Sequence, residues 1–270
     1  MTDSKKKYWT VGEIDATGVR GPHEVELRNI SKAKSHLFID IDKSDLKRIV
    51  EKKLGGKLEN IGFNEDWTIT IEMFPEVNLH FAFSFFGNEF GGEVEAEFKF
   101  LFSGERVFWV PGEDSATYID IIMDFIDREI KHESPFQIEY TTKTNLMKKV
   151  LVQRNQPFSL LMESDKDPLA EFLGAKINKI ADGWIIKKEL FPEIFVELSW
   201  STKDGLDILF KGKNLKDISS YHVEFLGIFV INHILRYITL QNEDEDLPDI
   251  CYIMFSRLFT KKKNWDHRRA

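Results

Sequence analysis

The chain has very few cysteines and no long hydrophobic run. Its one cysteine, Cys251, cannot form an internal disulfide and excludes a metal site built from cysteines, so we expect a buried structural thiol. The most apolar run, residues 225–235, covers about eleven residues, whereas a membrane-spanning helix needs about 20. The lysines near the start are not followed by the apolar stretch of a signal peptide. These absences predict a cytoplasmic protein without a membrane partner.

The chain also lacks an excess of basic residues. Lys and Arg number 37 against 45 Asp and Glu, which gives a formal net charge of −8. Surfaces that bind nucleic acid are basic because they neutralise phosphates, so we expect no nucleic-acid partner. The basic segment 261–269 is then most simply a solvated tail. Hydrophobic residues make up 42% and charged residues 30%, which is typical of a folded globular protein of one large or two small domains.

Established catalytic and cofactor motifs are absent from the sequence. Gly55-Gly56-Lys57 lacks the upstream glycine and the Ser or Thr of a phosphate-binding loop, and it follows a predicted helix instead of preceding one. No Gly-x-Ser-x-Gly motif of a nucleophilic serine occurs. We therefore predict no catalytic residue, no cofactor and no metal site, and the sequence favours a protein that is not an enzyme.

Three aspartates share one face of a predicted helix. Asp120, Asp124 and Asp127 occur at i, i+4 and i+7, and three carboxylates on one face could bind a hard cation. They could also form a solvated face opposite the apolar stripe, with Arg128 and Lys131 nearby. We favour the solvated face.

Other polar groups have structural interpretations. His222 and His233 are eleven residues apart, about 16 Å along a helix axis, and so cannot share one metal ion. Glu93, Glu95 and Glu97 alternate with apolar residues, which is typical of the solvent-facing side of a strand and disfavours acid–base catalysis.

Phenylalanine is unusually frequent, at 23 residues against 6 Tyr and 6 Trp. Most phenylalanines lie in segments where apolar and polar residues alternate, the pattern of half-buried antiparallel strands. We predict strands at residues 67–73, 79–85, 94–102, 107–110, 183–190, 195–200 and 206–210.

Helices are predicted from apolar residues that recur every three or four positions. We expect them at residues 40–54 with Ser44 as the N-cap, 114–130, 168–173 before Gly174, and 219–240, with a short element at 250–259. Residues 1–35 are predicted to be irregular, with one short strand at 25–27. These elements suggest five regions: an N-terminal arm (1–40), a first α+β unit (41–131), a linker (132–160), a second α+β unit (161–242), and an acidic loop with a short helix and basic tail (243–270).

An internal repeat links the two units. Residues 67–77 match residues 184–194 at an offset of 117, with Trp, Ile, Glu, Phe, Pro and Glu identical. Shorter matches flank this one in the same order: 54–61 with 173–180, and 102–104 with 210–212. We therefore predict an α+β fold made of two duplicated helix–antiparallel sheet–helix units.

The second unit carries a family resemblance. Leu173-Gly174-Ala175, the turn at residues 190–194, Trp200 and Ile208-Leu209-Phe210, followed by a helix, resemble a prokaryotic family of unknown function. The resemblance covers residues 165–240 and, more faintly, 50–130. The order of elements is also similar to the small α+β fold of type III secretion chaperones, an analogy of fold alone. The resemblance implies a fold but no activity.

The predicted helix 219–240 is apolar around most of its circumference, more than one core face requires. We expect its far side to be buried by the other unit, by residues 250–259 or by a second chain. Phe225, Phe229 and Ile234 are its possible interface residues.

Two functions agree with these observations. The first is a non-enzymatic binding or assembly protein, such as an adaptor or a chaperone-like factor, with a protein partner or self-association. The alternative is an enzyme or small-molecule sensor with a pocket between the two units, since sites often form at domain interfaces. The sequence identifies neither the partner nor a small molecule.

Overall fold

The fold of the described residues is a mixed α+β fold with two antiparallel sheets, which confirms the predicted class. The computed structural model describes residues 7–19, 21–87, 95–137, 140, 142–242 and 246–259. Each sheet has four strands, and strands consecutive in sequence are neighbours in the sheet. The chain divides into two compact units, one of residues 1–15 and 19–134 and the other of residues 16–18 and 135–270.

The first unit contains one sheet and four α-helices among its described residues. The helices are α1 (Val11–Ile14), α2 (Pro22–Lys34), α3 (Lys43–Arg48) and α4 (Gly112–Ile130). The strands are β1 (Lys57–Glu59), β2 (Trp67–Phe74), β3 (Val77–Phe85) and β4 (Ala96–Ser103). Two 3₁₀ helices cover Ser35–Phe38 and Val107–Trp109, and a π-helical turn covers Ile49–Lys53.

Aromatic rings form the core of the first unit on one face of its sheet. Trp67 and Phe83 are direct cross-strand partners and stack with ring centroids 4.6 Å apart. Phe38 lies against them and meets Phe98 edge to face at 4.9 Å. All four rings are buried, so part of the excess phenylalanine of the sequence lies in this core.

The second unit also has helices before and after a four-stranded antiparallel meander. The helices are α5 (Asn145–Gln153), α6 (Lys166–Leu173), α7 (Ser220–Gln241), α8 (Asp249–Met254) and α9 (Ser256–Phe259). The strands are β5 (Lys176–Ile180), β6 (Gly183–Phe191), β7 (Ile194–Ser201) and β8 (Gly205–Lys211). As predicted, α6 ends at Gly174, whose left-handed backbone (φ 60°) terminates the helix.

The prediction of an irregular arm with a strand at 25–27 is wrong, because these residues belong to α2. Pro22 occupies the first turn, where its fixed φ favours a helix and its missing N–H is not needed. Leu27 and Ile30, three residues apart, are buried along one side. The helical spacing was present in the sequence, but the neighbouring glycines and polar residues obscured it.

Two further local predictions are corrected. The N-cap of α3 is Asp42, not Ser44, because the Asp42 carboxylate accepts hydrogen bonds from the amides of Ser44 and Asp45 at 2.8 and 3.1 Å. Residues 107–110 do not form a strand; Val107–Trp109 is a 3₁₀ helix.

The segment 132–160, predicted as a linker, contains α5 and is anchored to the second unit. The Phe136 amide donates to the Lys216 carbonyl at 2.8 Å. The Tyr140 hydroxyl donates to the Leu215 carbonyl at 2.7 Å. The Thr144 amide donates to the buried carboxylate of Glu224 at 2.8 Å. These bonds hold the segment against the turn at Leu215–Asp217 and the first turns of helix α7.

The matched sequence segments occupy the same place in the two sheets. Residues 67–74 and 184–191 form the second strand of each sheet, and each pairs with the third strand through a Phe-Pro-Glu turn. Glu76 and Glu193 both have φ 64°. A Cβ built on Gly104 or Gly212 would lie 2.0 Å from the carbonyl oxygen of Glu76 or Glu193. The duplication itself stays a prediction that this geometry supports.

We expect Gly104→Ala and Gly212→Ala each to lower the free energy of unfolding by about 2 kcal/mol or more. Both positions combine a positive φ, 112° and 134°, with a carbonyl oxygen where the methyl would lie. Gly62→Ala is the matched control, because Gly62 also has a positive φ (88°) but open space around it. Urea denaturation measures the changes in the free energy of unfolding. Losses no larger than that of Gly62→Ala would contradict the prediction that the close approach of glycine and carbonyl stabilises both turns.

Candidate functional site

A buried polar cluster lies on the face of the first sheet opposite the aromatic core. The Thr70 hydroxyl is hydrogen-bonded to His80 Nδ1 at 2.8 Å, and His80 Nε2 to the Ser103 hydroxyl at 2.7 Å. All three residues are buried, with relative exposures of 8%, 1% and 0%. Both ring nitrogens therefore have a hydroxyl partner.

The strand register brings these three side chains together. Thr70 on β2 is the direct cross-strand partner of His80 on β3. Ser103 on β4 is diagonal to His80, whose direct partner is Leu101. Direct and diagonal neighbours on one face are within reach of each other.

The same three positions of the second sheet carry charged residues. Lys187 is the direct partner of Glu197, and Lys211 is diagonal to it. Lys211 Nζ lies 2.7 Å from Glu197 Oε1, and both lysines are exposed. These three positions thus carry charged residues with exposed lysines in the second sheet, but buried hydroxyl and imidazole groups in the first.

Residues 7–10, which we call the N-terminal strap, lie over the cluster and the β4 edge. Trp9 and Phe102 exchange two backbone hydrogen bonds, both 2.9 Å, as a one-residue antiparallel bridge. The Tyr8 ring meets His80 and Phe63 edge to face at 5.1 and 5.3 Å. The strap therefore adds one backbone bridge to the β4 edge and packs the Tyr8 ring against His80.

The Trp9 ring makes two further contacts at this edge. It meets Phe108 edge to face at 4.8 Å, and Lys7 Nζ lies 3.7 Å from its ring centroid. Trp9 and Phe108 are nevertheless half-exposed, and Lys7 is exposed. The strap is therefore a surface layer and not part of the core.

Two ionisable groups, one in the strap and one in the loop before β2, have shifted pKa values. Burial raises the pKa of Tyr8, and the nearby carboxylates of Glu59 and Glu65 raise it further. Burial alone would raise the pKa of Glu65, but hydrogen bonds from the Ile61 and Phe63 amides and the Thr68 hydroxyl bring it below its ordinary value. Glu65 therefore acts as an internal anion that closes the loop before β2.

The cluster contains part of a nucleophilic site but not an accessible one. A serine within hydrogen-bond reach of a histidine that a third group orients is the arrangement of activated nucleophiles. Ser103 is fully buried, however, so no substrate reaches its hydroxyl in this arrangement. The cluster instead satisfies a buried histidine and leaves the strap and the β4 edge as the accessible part of the site.

This site is not evident from the sequence because its members are distant in the chain. The alternation of residues 79–85 placed His80 on the outer face of the strand, where we expected solvent. Ser103 is 23 residues from His80, and the strap lies before every predicted element of the unit. The one local signal is the adjacent aromatic pair Tyr8-Trp9 in an otherwise polar segment.

The three aspartates of α4 do not form one solvated row. Asp124 forms a salt bridge with Lys34 of α2, and Asp127 pairs with Lys131 at 2.9 Å. Asp120 lines a groove between α2 and α4. Among the described residues, no three or more His, Cys, Asp or Glu side chains are arranged to hold a metal ion.

The histidines of α7 and the cysteine have separate structural surroundings. His233 is buried and stacks on Phe172 with ring centroids 4.4 Å apart. The His222 amide donates to the N-cap hydroxyl of Ser219 at 3.0 Å. Cys251 is buried as predicted, and burial raises its pKa, which a hydrogen bond with Thr239 partly opposes.

Of two other predicted groups, one is partly described and the other lies outside the described residues. Glu95 and Glu97 are exposed, as expected for the solvent-facing side of a strand, and Glu93 lies outside the described residues. The basic segment 261–269 also lies outside them.

The three possible interface residues of α7 differ in exposure. Phe229 and Ile234 are buried within the chain, at 3% and 0%. Phe225 is half-buried and meets the exposed Tyr221 edge to face at 4.8 Å. Of the three, only Phe225 reaches the surface.

Helix α7 packs against several elements of the second unit. A Cβ on Gly227 would lie 2.6 Å from Ile208 Cδ1 of β8, so the helix packs closely on the sheet. On other sides, Phe172 of α6 meets Tyr237 at 5.4 Å and Arg236 lies 5.1 Å from the Phe255 ring. The segment 249–259 thus supplies part of the expected cover.

Helix α7 is also long and apolar enough to span a membrane by length and composition. Its most apolar window of 18 residues is 89% buried inside the chain. The core helix of a globular unit passes the same test, and the contacts of α7 with the sheet and with α6 are those of a core helix.

We expect Ser103→Ala to lower the free energy of unfolding by about 1–3 kcal/mol, because it leaves a buried ring nitrogen of His80 without its partner. Lys211→Ala removes the side chain at the corresponding exposed position of the second sheet, and we expect a loss below about 0.5 kcal/mol. Urea denaturation of both variants measures the contrast. Equal losses would show that the buried cluster has no special role in stability.

We expect Ile234→Asp to unfold the second unit, because a carboxylate would be buried without a partner in the α7 core. Phe229→Asp should have the same effect. Tyr221→Asp, on the same helix but 59% exposed, is the control and should keep the melting temperature. Thermal unfolding and native mass distinguish the outcomes, and unchanged melting of Ile234→Asp would show that α7 is not a core helix.

Relationships to known proteins give no independent guide to this site. The resemblance of residues 165–240 to a prokaryotic family of unknown function stays a prediction, as does the similarity to type III secretion chaperones. Comparison with family models, with curated proteins and with solved structures finds no match to this chain.

Proposed function

We propose that the protein is a non-enzymatic binding or assembly protein that takes up an extended segment of a protein partner at the β4 edge of the first sheet. The observation that carries the proposal is the N-terminal strap. Trp9 and Phe102 already exchange the backbone hydrogen bonds that such a segment would make. The chain therefore displays this binding mode within itself.

The edge of a sheet is suited to this role. An edge strand presents unpaired N–H and C=O groups, which proteins either cover or use to add a strand from a partner. In strand addition the backbone provides affinity and side-chain contacts provide specificity. Here the backbone contact is the Trp9–Phe102 bridge, and the side-chain contacts are those of Tyr8 with His80 and of Trp9 with Phe108.

The strap is held weakly enough for a segment of a partner protein to replace it. Each backbone hydrogen bond contributes about 1 kcal/mol net, and each aromatic pair adds about 0.5–1.5 kcal/mol. The total is a few kcal/mol, within the range of local opening in folded proteins. A partner that makes the same contacts over a longer stretch would displace the strap.

The alternative function, an enzyme or small-molecule sensor, stays a prediction. Self-association, a cytoplasmic location and the absence of a nucleic-acid partner also stay predictions.

We expect Trp9→Ala in the full chain to open the β4 edge. A labelled peptide with the sequence of residues 7–12 should then bind the variant at least tenfold more tightly than the parent, because the weakened strap competes less. Fluorescence anisotropy measures the affinities, and hydrogen exchange at the Phe102 amide reports opening of the edge.

A peptide with Ala in place of Tyr8 and Trp9 is the control and should not bind. If the Phe102 amide of the variant exchanges faster but neither protein binds the peptide, the strap opens without forming a binding site, and the proposal is wrong.

A further inference from the structure

The strap presents successive side chains to opposite faces of the first sheet. Trp9 is bridged to Phe102 in antiparallel fashion, so the register places Tyr8 opposite Ser103. Neighbouring residues of an extended segment point to opposite faces. Tyr8 therefore lies on the face of Ser103 and His80, and Trp9 lies on the face of Phe102. A segment that replaced the strap would meet a different surface at each of these two positions.

The position of Tyr8 lies between two rings. Tyr8 meets Phe63 edge to face at 5.3 Å and His80 at 5.1 Å. His80 is buried, whereas Phe63 is 41% exposed. Edge-to-face contacts of this kind favour an aromatic side chain over an aliphatic one of similar size. This position therefore selects an aromatic residue.

The position of Trp9 lies between a ring and a cation. Trp9 meets Phe108 edge to face at 4.8 Å, and Lys7 Nζ lies 3.7 Å from the centroid of the Trp9 ring. Lys7 and Trp9 are two residues apart, so an extended backbone places them on the same side. A cation over an aromatic face is attracted most strongly by tryptophan. This position therefore selects a tryptophan with a basic residue two positions before it.

The rings that receive these side chains belong to segments other than the strap. The Phe63 amide donates to the Glu65 carboxylate at 2.6 Å, within the loop before β2. Phe108 lies in the 3₁₀ helix Val107–Trp109 that follows β4. Because neither ring is part of the strap, both would be in place for a segment that replaces it. A site formed in advance reduces the entropy that binding must overcome.

We infer that the β4 edge selects partner segments in which a basic residue, a tyrosine and a tryptophan follow one another, and that the strap is an internal copy of such a segment. The inference rests on the proposed function, because it names the partner of that same edge. Backbone hydrogen bonds provide affinity for any extended segment, so the choice among segments depends on side chains. The order of the two aromatic residues matters because they face opposite sides of the sheet.

The test measures peptide binding to the full chain with Trp9→Ala, by fluorescence anisotropy. The first peptide has the sequence of residues 7–12, the second has the same composition with tyrosine and tryptophan exchanged, and the third has glutamate in place of Lys7. We expect the exchanged peptide to bind at least fivefold more weakly, because each ring meets the wrong face. The glutamate peptide should bind about two- to fivefold more weakly, because it lacks the cation over the indole.

Variants of the chain locate the selection. In the Trp9→Ala chain, Phe63→Ala should weaken the first peptide about threefold or more by removing one ring contact. Phe85→Ala is the matched control, since Phe85 is also an exposed phenylalanine (45%) and ends β3 of the same sheet. It should leave binding unchanged. Circular dichroism and thermal melting confirm that both variants are folded.

The outcomes separate this inference from the proposed function. Equal binding of the first and the exchanged peptide, or equal effects of Phe63→Ala and Phe85→Ala, would overturn the inference while the edge still accepts a strand. If none of the three peptides binds the Trp9→Ala chain, the proposed function itself is wrong, and the inference is wrong with it.

Discussion

The antiparallel register between the second and third strands of each sheet determines nearly everything else in the structure. Trp67 faces Phe83 and Trp184 faces Trp200, sixteen residues apart in both units. Because side chains alternate between the two faces, a shift by one residue would turn the aromatic core toward solvent. The Phe-Pro-Glu turns and the glycines pressed against them, Gly104 and Gly212, hold this register in place.

The same register creates the difference between the two outer faces. It brings Thr70, His80 and Ser103 together in the first sheet, and Lys187, Glu197 and Lys211 in the second. Hydroxyl and imidazole groups that bond one another can be buried at little cost, whereas an isolated ion pair is favoured where water remains. This chemistry allows the strap to cover the first sheet, and it leaves the corresponding face of the second sheet solvated. The two similar units thus present different surfaces.

Helix α7 shows how an apolar helix can indicate either a partner or a core. Its composition alone permitted a second chain, the other unit or a later segment as the cover. The contacts with β8, α6 and Phe255 place it in the core of the second unit. Of the residues first considered for an interface, Phe225 alone, next to Tyr221, reaches the surface.

The sequence by itself determined the elements whose signal is local. Alternation of apolar with polar residues located β2, β3 and β4, and the three- to four-residue spacing located α4 and α7, because these periods follow directly from strand and helix geometry. The repeated Trp and Phe-Pro-Glu segments indicated two similar units. The helix α2 was missed although its spacing was present, since glycine and proline nearby suggested an irregular segment.

Only the tertiary structure decided which polar residues are buried and which surfaces are free. In the alternating pattern of its strand, His80 stands where a solvent-facing residue is expected. Its burial depends on Ser103 and on Tyr8, which are far from it in sequence. The groove beside Asp120 likewise requires two helices that are about ninety residues apart to pack together, as the Lys34–Asp124 pair shows. Contacts between distant segments leave no periodic trace in either segment, so the strap, the cluster and the groove became visible only in the folded chain.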